Sequence, residues 1–181
     1  MRQVYIFLAD GFEEIEGLTV VDLLRRAGIS IDMVSITGKK QVVGAHNIKV
    51  EADYLYDEVE IEKADMLVLP GGMPGTKNLL AHESLCNELK AFHKAGKGVC
   101  AICAAPMILG EHGILEGKRA VCYPGFESYL KGAIVEQCPV VRDGNVITSR
   151  GLGTAILFAS EIIAYFAGKE KAEEVKEAII Y

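Results

Sequence analysis

The segment Ala64–Leu69, Ala-Asp-Met-Leu-Val-Leu, is almost continuously apolar and stops abruptly at Pro70-Gly71-Gly72. A strand with one wet face alternates polar and apolar residues, so a run like this must be covered on both faces, as in a parallel sheet. Gln3–Leu8 and Gly98–Ile102 are runs of the same kind, with Ile29–Ile36 and Asn145–Thr148 as further strand candidates. Helical patterns lie between them. Ile15, Leu18, Val21 and Leu24 recur at helical spacing after the first run, and Glu83–Ala95, Met107–His112, Thr154–Phe166 and the charged Lys169–Ile179 complete the set. Asp10 with Glu13 resembles a capping arrangement for the first helix, and Gly28 after Arg25-Arg26-Ala27 supplies a left-handed stop. Between Gln41 and Val59 two β-leaning pieces, Gln41–Val43 and Ile48–Glu51, suit a small hairpin or an edge excursion. Strands alternating with helices imply right-handed βαβ units, hence an α/β fold with an open, mostly parallel sheet and helices on both faces. In such sheets ligands lie beyond the carboxyl ends of the strands. Three turns there hold the chemistry: Asp10–Glu16, Pro70–Gly75 and Cys103–Pro106.

Size and charge narrow the function classes. The 181 residues, 50% hydrophobic and 24% charged, suit one domain over 1–181 and exclude disordered, collagen-like and coiled-coil chains. No apolar run approaches the ~18 residues of a membrane span, and the short apolar stretch before Asp10 is too brief for a signal peptide, so a cytoplasmic location is expected. With a net charge of −6 and no basic cluster, nucleic acid is not an expected partner, and small molecules or proteins are expected instead. The five cysteines, Cys86, Cys100, Cys103, Cys122 and Cys138, are odd in number and form no disulfide framework, which points to reduced thiols.

Cys103 is the candidate nucleophile. It lies between a buried strand and a helix beginning Ala104-Ala105-Pro106, where unpaired N–H groups and the positive dipole end lower a thiol pKa. A free thiol is only ~3% thiolate at pH 7, and a pKa of ~5.5 would raise nucleophile concentration ~30-fold. The small residues that follow allow the strained elbow that nucleophiles occupy. Glu16, in the first turn of the first helix, is its candidate partner, while Glu13 and Glu14 read as first-turn acids favouring the helix dipole. If the first, third and fourth strands adjoin, the turns holding Glu16 and Cys103 are ~10 Å apart with Gly72 between them. An ionised carboxylate would repel a thiolate, so Glu16 has to be protonated, and the pair would then share one proton for acid/base work. Gly71 and Gly72 allow close backbone approach, and the N–H groups of Gly72 and Ala104 form a candidate oxyanion site.

Other readings are weaker. Ala104 rather than a histidine follows Cys103, and His46, His82, His93 and His112 follow none of the three turns, which disfavours peptidase chemistry. Cys100 and Cys103 would point to opposite faces of a strand, against a redox disulfide. His82, Cys86 and His93 have helical metal-ligand spacing but lack a fourth partner. Gly151-Leu152-Gly153 lacks the third glycine of a dinucleotide fingerprint, and Arg150 beside it either binds an anion or caps the turn.

Five motifs carry a resemblance. Gly11-Phe12-Glu13-Glu14-Ile15-Glu16, Asp22 through Gly28, Leu69-Pro70-Gly71-Gly72, Ala101-Ile102-Cys103-Ala104 and Thr148–Thr154 resemble the ThiJ/PfpI superfamily, and within it the DJ-one branch of the parkinsonism-associated deglycase. The resemblance runs from Val4 to about Lys176. It implies a flavodoxin-like fold of the class I glutamine amidotransferase kind, a homodimer, no cofactor and no metal. It implies Cys103 as an oxidisable nucleophile, Glu16 as its protonated partner, and Gly72 with Ala104 as oxyanion donors. The implied substrates are reactive aldehydes or dicarbonyls and, by extension, glycated protein. An oxidative-stress sensor or redox-regulated chaperone is the alternative. Many relatives place a histidine before the proline that is Pro124 here; this chain has Tyr123, a poor base near neutrality.

Overall fold

The computed structural model of the chain describes residues 2–181. The first half runs β1 (Gln3–Leu8), α1 (Glu14–Arg26), β2 (Ser30–Ser35), β3 (Gln41–Val43), β4 (Lys49–Glu51), β5 (Tyr54–Leu55), β6 (Met66–Leu69), α2 (Gly75–Leu80) and α3 (Glu83–Lys94). The second half runs β7 (Gly98–Ile102), α4 (Pro106–Glu111), β8 (Arg119–Ala120), β9 (Ile134–Val135), β10 (Val140–Asp143), β11 (Val146–Ser149), α5 (Ala155–Ala167) and α6 (Lys169–Ala178). Seven strands form one sheet in the order β10-β11-β7-β6-β1-β2-β5. Every pairing in it is parallel except β10 with β11, which closes one edge as a hairpin. The expected doubly covered sheet is what the chain builds.

Side-chain alternation along the central strands divides the core in two. Val4, Ile6 and Leu8 of β1, with Met66, Val68, Cys100 and Ile102, pack under α1 and α5 against Val20, Leu24, Phe158 and Ile162. Tyr5, Phe7 and Ala9, with Leu67, Leu69, Val99 and Ala101, face Leu85, Leu89, Ile108 and Leu109 of α3 and α4. Each strand feeds both halves, which is why its sequence reads as unbroken apolar. Truncating fully buried Phe158 to Ala is expected to cost about 3–5 kcal/mol.

Several local expectations need correction. Ile15 and Leu18 do not face the core; they are 52% and 36% exposed, and α1 buries Glu14, Glu16, Gly17, Val20, Val21, Leu23 and Leu24. Helical spacing alone could not tell the two faces apart, because the inward face carries two acids with specific partners. The Asp10–Glu13 cap is not made either: Glu13 is the N-cap and has no capping side chain, while Asp10 accepts a hydrogen bond from the Val43 N–H at 2.9 Å. The helix after Cys103 starts at Pro106 rather than Ala104. The hairpin is present, with β3 and β4 antiparallel from Gln41↔Glu51 to Val43↔Lys49. Four strands escaped the sequence reading altogether: β5 and β10 at the two edges of the main sheet, and the short β8 and β9, which pair with each other. Among the described residues no helix is long and apolar enough to cross a membrane.

Candidate active site

In the sheet β7, β6 and β1 are neighbours, so the turns at their carboxyl ends meet. From β7 comes Cys103, from β6 come Gly71 and Gly72, and from β1 the chain enters α1, whose first turn carries Glu16 inward. Cys103 has a left-handed backbone, φ 66°, a conformation that a residue with a Cβ adopts only when its surroundings hold it there. Both of its peptide groups are held: its N–H donates to the Ser149 carbonyl at 2.9 Å, and its carbonyl accepts from the Tyr123 N–H at 2.8 Å. The end of β11 and the segment after β8 therefore fix Cys103 from two sides.

Glu16 is 1% exposed. Its Oε2 accepts the Gly71 N–H at 2.9 Å, and its carboxyl is a hydrogen-bond partner of the Cys103 thiol. Gly71 is the spacer of the pair: a Cβ added there would lie 2.5 Å from the Cys103 Cβ and 2.7 Å from Glu16 Oε2. Gly72 has φ 90°, and a Cβ on it would run into the Glu13 backbone. Its N–H and that of Ala104 favour the charged form of the Cys103 thiol.

Burial pushes the Glu16 carboxyl up to about 7, against hydrogen bonds from the Cys103 thiol, the Gly71 N–H and the Leu152 N–H, and the Glu13 charge pushes the same way as burial. Burial, then the charge and hydrogen bond of Glu16, push the Cys103 thiol up to about 12, while the N–H groups of Gly72 and Ala104 pull it down. A thiol lowered on its own by a helix dipole is thus not what forms, because α4 begins three residues later and Cys103 sits partly buried beside a carboxyl. The two groups titrate as one unit. Below about pH 7 the pair is neutral; above it the pair holds one negative charge and one proton between sulfur and carboxyl, and the second proton is retained far into the alkaline range. The N–H groups of Gly72 and Ala104 act on the sulfur in the direction of the thiolate, while burial and the Glu16 charge act against it.

Tyr123 meets the pair through its backbone N–H, which donates to the Cys103 carbonyl. Tyr123 and Arg150 line a cleft of about 330 Å³ with Pro124 and Gly151–Thr154. Gly151 stands between the cleft and the pair: a Cβ there would be 3.3 Å from the Tyr123 ring and 3.9 Å from Glu16 Oε1. The turn itself is stapled by Thr154, whose Oγ1 meets Ser149 Oγ at 2.7 Å and accepts the Gly151 N–H at 3.1 Å.

Sequence reasoning missed several contributors. Glu14 is not a dipole-favouring surface acid: buried, it accepts the His46 N–H at 2.8 Å and the Ile48 N–H at 3.4 Å and meets His46 Nδ1 at 3.0 Å, pinning the β3–β4 loop. Glu13, Glu14 and His46 are, among the described residues, the group whose potential metal-ligand atoms lie within 4.8 Å of one another, and those atoms are engaged with each other. His82 caps α3 through Nδ1 and the Leu85 N–H at 3.2 Å, while Cys86 is buried against the carbonyls of Leu79 and Leu80, so the imagined helical metal set has other work. The Leu152 N–H and Ser149 carbonyl had a signal in the Thr148–Thr154 motif, but backbone groups carry no letter of their own.

The DJ-1/PfpI family model matches residues 2–165. The chain belongs to the DJ-1/PfpI family. Protein dj-1beta of Drosophila melanogaster is 38% identical over 182 residues, covering 99% of this chain and 97% of the fly protein. Against the longer DJ-1 homolog B of Arabidopsis thaliana identity is 37%, and the chain spans 41% of that protein. The structure of oxidized Toxoplasma gondii DJ-1 superposes with a TM-score of 0.96 at 34% identity, covering 100% of this chain and 99% of that one. A protein of Pyrococcus abyssi named a deglycase is 31% identical over 163 residues, 89% of this chain and 97% of its own length. Membership shows the flavodoxin-like fold that the five motifs implied.

Proposed function

We propose that this DJ-1/PfpI protein is a cofactor-independent cysteine enzyme acting on reactive dicarbonyls and early glycation adducts. The observation that carries the reading is the buried Glu16 carboxyl, held by the Gly71 N–H, set against the partly buried Cys103 across the space that Gly71 leaves open. The name of the Pyrococcus relative supports it. With methylglyoxal, the Cys103 thiolate forms a C–S bond to the aldehyde carbon while the carbonyl π pair moves to oxygen. The N–H groups of Gly72 and Ala104 stabilise that oxyanion and Glu16 protonates it. The Glu16 carboxylate then removes the former aldehyde hydrogen as a proton and returns a proton at the neighbouring carbon. The aldehyde carbon is oxidised to a thioester as the ketone carbon is reduced to an alcohol, so no external redox agent is needed. Water breaks the C–S bond and releases lactate. The test is conversion of methylglyoxal to lactate by purified protein without glutathione. Cys103→Ala and Glu16→Gln should each abolish it, and equal rates in wild type and Cys103→Ala would overturn the reading.

The second reading is an oxidative-stress sensor or redox-regulated chaperone, favoured by the oxidized state named for the Toxoplasma relative. One peroxide would take the Cys103 thiolate to a sulfenate and a second to a sulfinate, each releasing water. Mild peroxide followed by mass spectrometry tests this: oxidation should concentrate at Cys103, and an even spread over five cysteines would defeat it. Both readings include a homodimer, which equilibrium sedimentation checks directly.

A further inference from the structure

Six arginines are present, and five of them have a carboxylate oxygen within 4 Å: Arg2 with Asp65, Arg25 with Asp53, Arg26 with Asp22, Arg119 with Glu136 and Asp143, and Arg142 with Glu161. Arg150 differs. Among the described residues it has no carboxylate partner, and its guanidinium makes one long hydrogen bond, 3.5 Å to the Gln137 carbonyl. A guanidinium offers five N–H donors, so most of its hydrogen-bonding capacity is left unused by the described residues, and Arg150 is one of the residues lining the cleft beside Tyr123. Gly151, the residue after Arg150 and part of the same lining, lies close to both the Tyr123 ring and Glu16 Oε1, so the cleft neighbours the reactive pair. The backbone around Arg150 is firm: its N–H donates to the Pro139 carbonyl at 3.2 Å, and Thr154 staples the turn that follows. The preceding residue, Ser149, holds the Cys103 N–H, so the position of Arg150 is tied to that of the sulfur.

We propose that Arg150 is a specificity-determining residue, selecting α-oxoaldehydes whose chain ends in a carboxylate, with the aldehyde at Cys103 and the carboxylate in the cleft. This deepens the dicarbonyl reading and rests on it. The half-exposed Tyr123 ring covers the methylene segment of such a chain, and the guanidinium pairs with its charged end in a fork geometry. The carboxylate takes no part in bond making. The product is the corresponding α-hydroxy acid, formed by the internal oxidation and reduction described above and the uptake of one water.

The experiment compares γ,δ-dioxovalerate with α-oxovaleraldehyde, which has the same carbon chain ending in a methyl group. Wild type should prefer the carboxylate by about tenfold or more in kcat/KM, mostly through KM. Arg150→Gln should bring the ratio close to unity, and Arg150→Lys should restore part of it. A ratio equal in wild type and Arg150→Gln, with both compounds turned over, overturns the role of Arg150 while leaving the dicarbonyl chemistry standing. Turnover of neither compound defeats the dicarbonyl reading instead. A readout free of turnover then decides on the subsite: valerate should slow alkylation of Cys103 by iodoacetamide in wild type and not in Arg150→Gln, whereas pentanol should not. No Arg150-dependent protection overturns the subsite.

Discussion

Replacing Glu16 by glutamine should change how stability depends on pH, and the size of the change follows from where the carboxyl sits. Its ordinary value of 4.5 is raised to about 7, chiefly by burial. A gap of about 2.5 pH units, at about 1.4 kcal/mol for each, is on the order of 3 kcal/mol. The folded state binds this proton more tightly than the unfolded chain does. Its stabilising effect is therefore fully present below pH 4.5 and fades as pH rises through 7. The substituted amide has nothing to titrate and keeps an oxygen for the Gly71 N–H. The stability of Glu16→Gln relative to wild type should then climb by roughly 3 kcal/mol between about pH 4.5 and pH 8. Urea unfolding at half-unit pH intervals measures it, with the midpoint shifting and the slope constant. A difference flat to within about 0.5 kcal/mol across that range would mean that Glu16 ionises normally, and the proton-sharing argument would fail with it.

Other outcomes can be checked in parallel. Catalysis should rise with pH through about 7, where the pair acquires its single negative charge, and a rate that is level from about pH 5 to pH 9 would contradict the shared titration. Gly71→Ala should cut activity at least about a hundredfold with the fold retained by circular dichroism, because its methyl group lies within the space of Cys103 Cβ and Glu16 Oε2. Glu14→Ala should lower stability by about 2–4 kcal/mol in urea titration, since it strips the His46 and Ile48 N–H groups of a buried acceptor. Native-state alkylation should modify Cys103 and leave Cys100 untouched, for Cys100 is fully buried with its thiol against Met66 Sδ at 3.4 Å.

What could be read in the sequence was whatever hydrophobic burial and backbone chemistry write into residue types. Ala64–Leu69 and Gly98–Ile102 announced doubly covered strands because both of their faces are inside, and Pro70-Gly71-Gly72 announced a turn because few other residues can make it. Cys103 and Glu16 stood out by chain position, and the sheet order brings them together. Ile15 and Leu18 misled because the periodic signal assumes that apolar faces inward, whereas α1 turns inward Glu14 and Glu16, each matched to donors from distant loops. β10 was invisible as Val-Val-Arg-Asp: an antiparallel edge strand needs little apolar character, and its pairing with β11 is set by the tight turn between them. The direction of the thiol shift was misjudged for a related reason. Dipoles can be counted along the chain, but desolvation depends on what surrounds the sulfur in space.

The torsion at Cys103 has an implication for durability. Glycine would rest there without strain, yet glycine has no sulfur, so the chain keeps a side chain in a conformation that costs on the order of 1–3 kcal/mol. Cys103→Gly should accordingly melt at a higher temperature than wild type while losing its reactive thiol, marking Cys103 as a point where side-chain chemistry and thermal endurance pull the molecule in opposite directions.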